Sequence, residues 1–209
     1  MGNLREDLRI EDEEPHLVID VKGVAGVVED AEATQSEKHA LMRQKENNKV
    51  YKALSIINAQ RNIPPKDRNP KPYRDAIVSN AEQTGLGLMT TWDLFCLKRN
   101  ADALGWTSDQ VKPIFYRAGR IDPIPEHYEF AGNVLRVWTE AFGFIPELPV
   151  EDGRRMAIEI EDRMFEFDCS SLKIDGEKVG LAEVGSNCGV SLDCKDVGVK
   201  KKQRIFLID

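Results

Sequence analysis

Hydrophobic and polar residues alternate at the start of the chain and predict a pair of strands. Strands are expected over 4–10 and 16–23, where successive side chains face opposite sides of a sheet. The polar segment 11–15 lies between them and ends in Pro15, which is typical of a turn. We therefore expect an antiparallel hairpin at the start of the chain.

Apolar runs and helical patterns alternate after this hairpin. A short apolar run with β-branched residues predicts a buried strand over 53–58, and another short strand is expected over 86–89. Helices are expected over 30–49, 74–84 and 92–99, and a connecting helix within 100–120. Strand–helix–strand connections are right-handed and make the joined strands parallel. The pattern therefore predicts a mixed sheet with flanking helices.

The pattern changes near residue 120, where short alternating runs separated by Gly and Asp or Asn turns replace the helical periodicity. These runs predict six or seven strands, which include 128–138, 156–160, 164–167, 179–184, 189–192 and 204–208. Short strands at such spacing are typical of a small closed β-barrel. We therefore predict an α/β domain over 1–120 and an all-β domain over 121–209, with the boundary between Arg117 and Glu126.

Two acids and a lysine come together in the predicted hairpin. Asp20 and Lys22 are two residues apart on one strand and share a face. If the turn centres on 12–14, Asp7 lies opposite Asp20 with about 5 Å between the side chains. Two carboxylates this close repel each other unless a proton or a cation lies between them. The pattern predicts a divalent metal held by Asp7 and Asp20 with Lys22 beside it, a composition that suits phosphodiester cleavage.

Asp7 followed by Ile19-Asp20-Val21-Lys22-Gly23 resembles the signature of the PD-(D/E)XK nuclease superfamily, which includes restriction endonucleases and DNA repair nucleases. The resemblance covers residues 4–99 and continues through Thr34-Gln35, Ile56-Ile-Asn58, Pro64-Pro-Lys-Asp-Arg68 and Gly85 to Leu94. It implies a restriction-endonuclease-like mixed sheet with flanking helices. The family core begins with a helix and a strand before the strand of the first acid, so we expect a truncated version of this sheet here. Its exposed edge favours a homodimer.

The resemblance also implies a hydrolase that depends on Mg²⁺ or Mn²⁺. Asp7 and Asp20 would hold the metal, and Lys22 would orient or help to deprotonate the attacking water. A glutamine on the following helix often points into the site in this superfamily. Gln35 matches it best and completes the predicted catalytic set, while Gln44 is a weaker match. The competing interpretation of Gln35 is an exposed helical residue without a role.

Charge is unevenly distributed, which bears on where nucleic acid could bind. The formal net charge of −7 comes from residues 121–209, with 11 Lys or Arg against 18 Asp or Glu, whereas residues 1–120 hold 18 of each. The segment from Lys38 to Arg74, here called the basic strip, holds ten Lys or Arg against two acids. Such a strip attracts a phosphate backbone, although a solvated surface without a partner is the alternative. The expected nucleic-acid contacts are Lys45, Arg61 and Arg68.

The C-terminal part resembles a domain of the translational GTPases. Val179 to Leu192 and Lys200 to Ile208 are similar to the end of their second domain, as in elongation factor Tu, and Phe130 to Leu135 is similar to its start. The resemblance implies a barrel that contacts RNA or protein. It does not imply GTPase activity, because the chain has no G-x-x-x-x-G-K phosphate loop. The acidity of the segment favours a structural or interaction barrel without nucleic-acid contact.

The remaining features are those of an ordinary cytoplasmic protein. No apolar run approaches the ~20 residues of a membrane span, so no membrane partner is expected. The cysteines show no C-x-x-C pairing and are expected to be reduced core residues: Cys96, Cys169, Cys188 and Cys194. The histidines share no metal-ligand spacing and are expected to be surface or structural residues: His16, His39 and His127.

Two functions follow from these patterns. The first is a metal-dependent nuclease acting on nucleic acid, with DNA favoured over RNA. The second is a non-catalytic module that binds nucleic acid or protein, keeps the nuclease fold, and uses the barrel for partner contact.

Overall fold

The computed structural model describes residues 6–192 and 194–209. Contacts within the chain separate a first unit that ends at Ile124 from a second unit that begins at Pro125. Each unit has hydrophobic clusters of its own. Among the described residues, no helix combines the length and the apolar composition needed to cross a bilayer.

The first unit is a mixed sheet with helices. Its strands are β1 (Leu8–Ile10), β2 (His16–Gly23), β3 (Tyr51–Asn58), β4 (Gly87–Thr90) and β5 (Gly119–Arg120). Its helices are α1 (Asp30–Ala33), α2 (Gln35–Asn47), α3 (Asp75–Thr84), α4 (Thr91–Leu104) and α5 (Ser108–Val111), with 3₁₀ turns at Pro65–Asp67 and Lys112–Tyr116. The strand order is β1-β2-β3-β4-β5; β1 is antiparallel to β2 and the other neighbours are parallel. The predicted hairpin followed by parallel strands is therefore confirmed.

Strand β2 is buried on both faces of this sheet. Leu17 and Ile19 belong to one hydrophobic cluster, and Val18 belongs to another on the opposite face. Burying one such side chain favours folding by about 1.5–3 kcal/mol. Asp20 shares this burial, so the strand carries a carboxylate into the interior.

The helix expected over 30–49 is divided into two. The backbone leaves helical geometry at Thr34 (φ −95°, ψ 5°), and the Thr34 hydroxyl donates a hydrogen bond to the carbonyl of Asp30 at 2.8 Å. As a result α2 begins at Gln35. The position of this break decides which residues of α2 are turned toward β2.

The connecting helix expected within 100–120 is wrong for most of its length. Helix α4 continues to Leu104, and Thr107 caps the short helix α5 by accepting a hydrogen bond from Gln110 N. A 3₁₀ turn follows, and β5 then adds a strand parallel to β4. Strand β5 is only two residues long, which is too short to show alternation in the sequence.

The second unit consists of short antiparallel strands. They are β6 (Tyr128–Val137), β7 (Ala141–Phe144), β8 (Val150–Glu151), β9 (Arg155–Ile160), β10 (Arg163–Asp168), β11 (Leu172–Ile174), β12 (Glu177–Lys178), β13 (Leu181–Ala182), β14 (Cys188–Ser191) and β15 (Arg204–Ile208), and the helix is α6 (Cys194–Val197). One sheet has the order β10-β9-β15-β6-β7-β14-β11-β12, and β13 pairs with β8. Among the described residues, no ladder joins the outer strands β10 and β12. The closed barrel therefore stays a prediction.

The four cysteines are buried and form no disulfide in the described structure, in line with the expectation of reduced core residues. Burial raises the pKa of Cys169 to about 11 and that of Cys188 to about 12. Because the thiolate is the reactive form, we expect the native protein to react with a chromogenic disulfide reagent far more slowly than the protein in denaturant. Absorbance after mixing measures both rates. Rapid stoichiometric labelling of native Cys169 or Cys188, located by mass spectrometry, would contradict this expectation.

Candidate active site

The register of β1 against β2 places Asp7 beside Asp20. Leu8 pairs with Ile19 in the antiparallel ladder, and continuing the ladder by one residue sets Asp7 opposite Asp20. In addition, Oδ2 of Asp7 accepts a hydrogen bond from the backbone N–H of Val21 at 2.7 Å. The two carboxyl groups therefore lie at the same point of the hairpin.

The carboxyl group of Asp20 faces His39 of α2. Asp20 is 3% exposed and His39 is 2% exposed. Nδ1 of His39 lies 3.1 Å from Oδ1 of Asp20 and 3.0 Å from Oδ2. Hydrogen-bond geometry is met at Oδ1, while Oδ2 of Asp20, Nε2 of His39 and Oγ of Ser36 are buried without a hydrogen-bond partner in the part of the chain that the structure describes.

The pKa of Asp20 is raised above its ordinary value. Burial is the largest cause, because desolvation disfavours the ionised form. The hydrogen bond and charge of His39 act in the opposite direction, as does the charge of Lys22, whereas the nearby Asp7 carboxylate raises the pKa further. The hairpin thus places the buried carboxyl group of Asp20 beside the exposed carboxylate of Asp7.

Lys22 contacts the glutamine that the sequence predicts. Its ammonium group donates a hydrogen bond to Oε1 of Gln35, the first residue of α2. Gln44, near the other end of the helix, is exposed. The hairpin and α2 therefore bring the four predicted catalytic residues together: Asp7, Asp20, Lys22 and Gln35.

The spacing of residues on β2 matches the spacing of residues on α2. Two residues of a strand span about 6.6 Å, and four residues of a helix span about 6 Å. Gln35 contacts Lys22, and His39, four residues later, contacts Asp20. The helix therefore runs opposite to β2 and presents one face to it.

His39 is buried against Asp20, a contact that the expectation of a surface or structural histidine does not specify. A single histidine in a helical pattern shows neither its burial nor its partner. The available signal is its position four residues after Gln35, because residues four apart share a helix face.

The predicted nucleic-acid contacts fall into two places. Nη1 of Arg61 donates to the carbonyl of Gly23 at 3.3 Å, and Nη1 of Arg68 donates to Oδ1 of Asn58 at 2.6 Å. Both arginines thus lie at the carboxyl ends of parallel strands, where α/β sheets commonly bind ligands. Lys45 is exposed in the last turn of α2, about 15 Å along the helix axis from its first residue. The structure therefore does not bring Lys45 together with the two arginines.

The arrangement offers two carboxylates, one ammonium group and one amide. Among the residues that the structure describes, no group of three or more His, Cys, Asp or Glu is placed to hold a metal ion. Asp7 and Asp20 are therefore a pair of hard oxygen donors rather than a complete protein cage.

Comparison with known proteins does not assign a family. No family model matches the chain, and no curated protein matches it. Among solved structures, the C-terminal domain of a putative U32 peptidase from Geobacillus thermoleovorans is 16% identical, with a TM-score of 0.34, over 39% of this chain and 93% of that one.

Two translation elongation factors are similar to a larger share of the chain. The bacterial selenocysteine-specific elongation factor EF-Sec is 12% identical, with a TM-score of 0.32, over 91% of this chain and 31% of that one. Translation elongation factor SelB from Methanococcus maripaludis, in its apo form, is 13% identical, with a TM-score of 0.29, over 91% of this chain and 41% of that one. At these TM-scores the likeness carries no argument about fold or function.

The raised pKa of Asp20 predicts a pH dependence of stability. A carboxyl group with a higher pKa in the folded protein favours folding while it is protonated. That contribution is lost as the pH rises from about 3.9, the usual unfolded value, through the folded value. Because Asp20→Asn cannot ionise, we expect this variant to unfold at a higher temperature than the parent at pH 7, and the difference to shrink in acid.

Thermal unfolding between pH 3.5 and pH 8 measures this difference. Asp75→Asn, which changes an exposed carboxyl group in the first turn of α3, is the matched control. An Asp20→Asn variant less stable than the parent at pH 7 would show that the ionised carboxylate is a net stabilising group.

Proposed function

We propose that the first unit is a divalent-metal-dependent nuclease of the PD-(D/E)XK type, which hydrolyses phosphodiester bonds in nucleic acid. In this proposal its mixed sheet is a restriction-endonuclease-like core. The observation that supports the proposal most is the position of Asp7 opposite Asp20 in one hairpin, close to the contact between Lys22 and Gln35. DNA is the proposed substrate.

The carboxylate pair is suited to a hard divalent cation. Oδ2 of Asp20 is buried and accepts no hydrogen bond from the residues that the structure describes, although Nδ1 of His39 lies 3.0 Å away. The charge of Asp7 disfavours ionised Asp20. A cation between the two groups would supply the missing partner and offset their repulsion. Mg²⁺ commonly binds through one or two carboxylates and keeps several waters, which agrees with two protein ligands instead of three.

The protein groups have distinct roles in this proposal. When bound, Mg²⁺ or Mn²⁺ would lower the pKa of a coordinated water and offset charge on the scissile phosphate. Lys22 would orient that water and attract the phosphate, and Gln35 would hold the ammonium group in place through the hydrogen bond described above. Asp7 and Asp20 would act as ionised ligands, so the site would load more readily as the pH rises.

A non-catalytic binding module is the second candidate, and the burial of Asp20 favours it. A carboxylate that is 3% exposed is reached by a hydrated cation only if neighbouring side chains move. In this alternative the first unit would be a scaffold, and the second unit, which we propose to be a small closed barrel, would contact protein or nucleic acid.

Metal titration separates the two candidates. We expect the parent to bind Mg²⁺ and Mn²⁺ in calorimetry and to cleave DNA or RNA when they are present. Asp7→Asn and Asp20→Asn should lose both properties, because each removes a ligand. Lys22→Met should bind the metal but cleave about 10²–10³-fold more slowly, the usual effect of removing one preorganised electrostatic group.

Asp75→Asn is the control for these variants and should behave as the parent. A folded parent that binds neither metal would exclude the nuclease proposal. Metal binding without cleavage of duplex or single-stranded DNA or RNA would favour the scaffold.

Nucleic-acid binding should depend on salt through the basic strip. Each phosphate contact contributes about 0.9 to the slope of log K against log salt on duplex DNA. We therefore expect Lys45→Ala and Arg61→Ala each to reduce the slope and the affinity. Arg68→Ala should do the same and also lower the unfolding temperature, because Arg68 bonds to Asn58 and to the carbonyl of Ile63.

Fluorescence anisotropy with a labelled duplex at several salt concentrations measures the slope. The control is Lys98→Ala, since Lys98 is an exposed cation on α4 that pairs with Asp102. A slope that is the same for the parent and all three strip variants would place the binding surface elsewhere.

A further inference from the structure

The contact between Asp20 and His39 joins two buried side chains from different elements. Its distances of 3.1 and 3.0 Å are those of a hydrogen-bonded pair. The partners are 19 positions apart in the sequence, so the contact forms only when α2 packs on β2. We propose that His39 is a positioning residue that holds the carboxylate of Asp20 ready for a divalent cation, a role that rests on the proposed function of the first unit.

The location of the imidazole proton follows from the partners of each ring nitrogen. An ionised carboxylate only accepts hydrogen bonds, so Nδ1 of His39 must carry the proton that bonds to Asp20. We therefore assign a proton on Nδ1 of His39, donated to Asp20. Among the described residues, Nε2 has no hydrogen-bond partner.

This contact orients the carboxylate, because Nδ1 of His39 lies 3.1 Å from Oδ1 and 3.0 Å from Oδ2. Hydrogen-bond geometry is met at Oδ1, and within the described part of the chain Oδ2 accepts no hydrogen bond. Asp7 approaches from β1, on the opposite edge of β2 from β3. Residues that hydrogen-bond to metal ligands fix the orientation and basicity of those ligands. His39 would therefore act on the cation through Asp20 without touching it.

His16 provides an internal comparison. It lies on β2 four residues before Asp20 and so shares its face. It is 3% exposed, and its ring packs beside Tyr51 at 5.1 Å between centroids. Neither of its ring nitrogens has a hydrogen-bond partner among the residues that the structure describes. His16 is thus a buried histidine that fills space, whereas His39 faces an acid.

Three variants test the positioning role. His39→Leu removes the donor, His39→Asn keeps an N–H close to the place of Nδ1, and His16→Leu changes the comparison histidine. Mn²⁺ affinity is measured by calorimetry on each folded variant, with thermal unfolding to establish folding. We expect His39→Leu to bind Mn²⁺ about 10–100-fold more weakly, the usual effect of losing a partner of a metal ligand. His39→Asn should recover most of this loss, and His16→Leu should bind as the parent.

The proton assignment has its own measurement, which needs no metal. In the parent, ¹⁵N shifts of the His39 ring should show a protonated Nδ1, because this nitrogen donates to Asp20. A proton on Nε2 alone would overturn the proposal, even if His39→Leu failed to fold. Equal Mn²⁺ affinity of folded His39→Leu and the parent would overturn it too, and leave the nuclease proposal standing. Absence of Mn²⁺ binding by the parent would instead overturn the proposed function and the positioning role together.

Discussion

A carboxylate within an otherwise apolar strand is the constraint around which the first unit is arranged. Strand β2 is covered on both faces, yet it carries Asp20 at the point where Asp7 arrives from β1. Burial and the second acid both disfavour the charge. Two residues act in the opposite direction and favour the charge of Asp20: His39 from α2, and Lys22, two residues further along β2. Asp20 and His39 are buried partners on β2 and α2. Neither element can therefore shift alone without separating this pair and leaving its polar atoms unpaired in the interior.

The hairpin and the main elements of the first unit could be predicted because their signals are local. Alternation over 16–23 marks β2, and the length of the turn sets which residue lies opposite Asp20. Glycine after α3 adopts a left-handed conformation (φ 79°) and ends that helix. The contact of Lys22 with Gln35 agrees with the implied role of that glutamine, whereas its chemical function stays a prediction.

The remaining features could not be predicted because tertiary contacts decide them. Strand β5 has two residues and exists through its pairing with β4. Strand β7 has four residues and lies between its partners β6 and β14; its Ala-Phe-Gly-Phe sequence has no polar residue that would mark alternation. The partner of His39 lies on another element, and no spacing between histidines reveals a histidine–aspartate contact.

Counting the charged residues of a segment overstates how many of its cationic side chains can contact a ligand. Within the basic strip, Arg43 pairs with Glu6 at 3.0 Å, and the ammonium group of Lys52 donates to the carbonyl of Tyr116 at 2.8 Å. These cations hold the first unit together. The excess of positive charge is therefore smaller at the surface than in the sequence, and any phosphate backbone would meet separated groups instead of a continuous stripe.

Two residues of β2 and four residues of α2 span nearly the same distance, and this match has a consequence for finding related proteins. Inserting one residue between Gln35 and His39 would rotate one of them by about 100° around the helix, so only one could face the strand. The spacing within each element is thus constrained, while the length of the connection between them, residues 24–34, sets neither spacing. Asp-x-Lys on a buried strand, followed by Gln-x-x-x-His at the start of a helix, is a two-part sequence signature. It can be searched for where overall identity is too low to align.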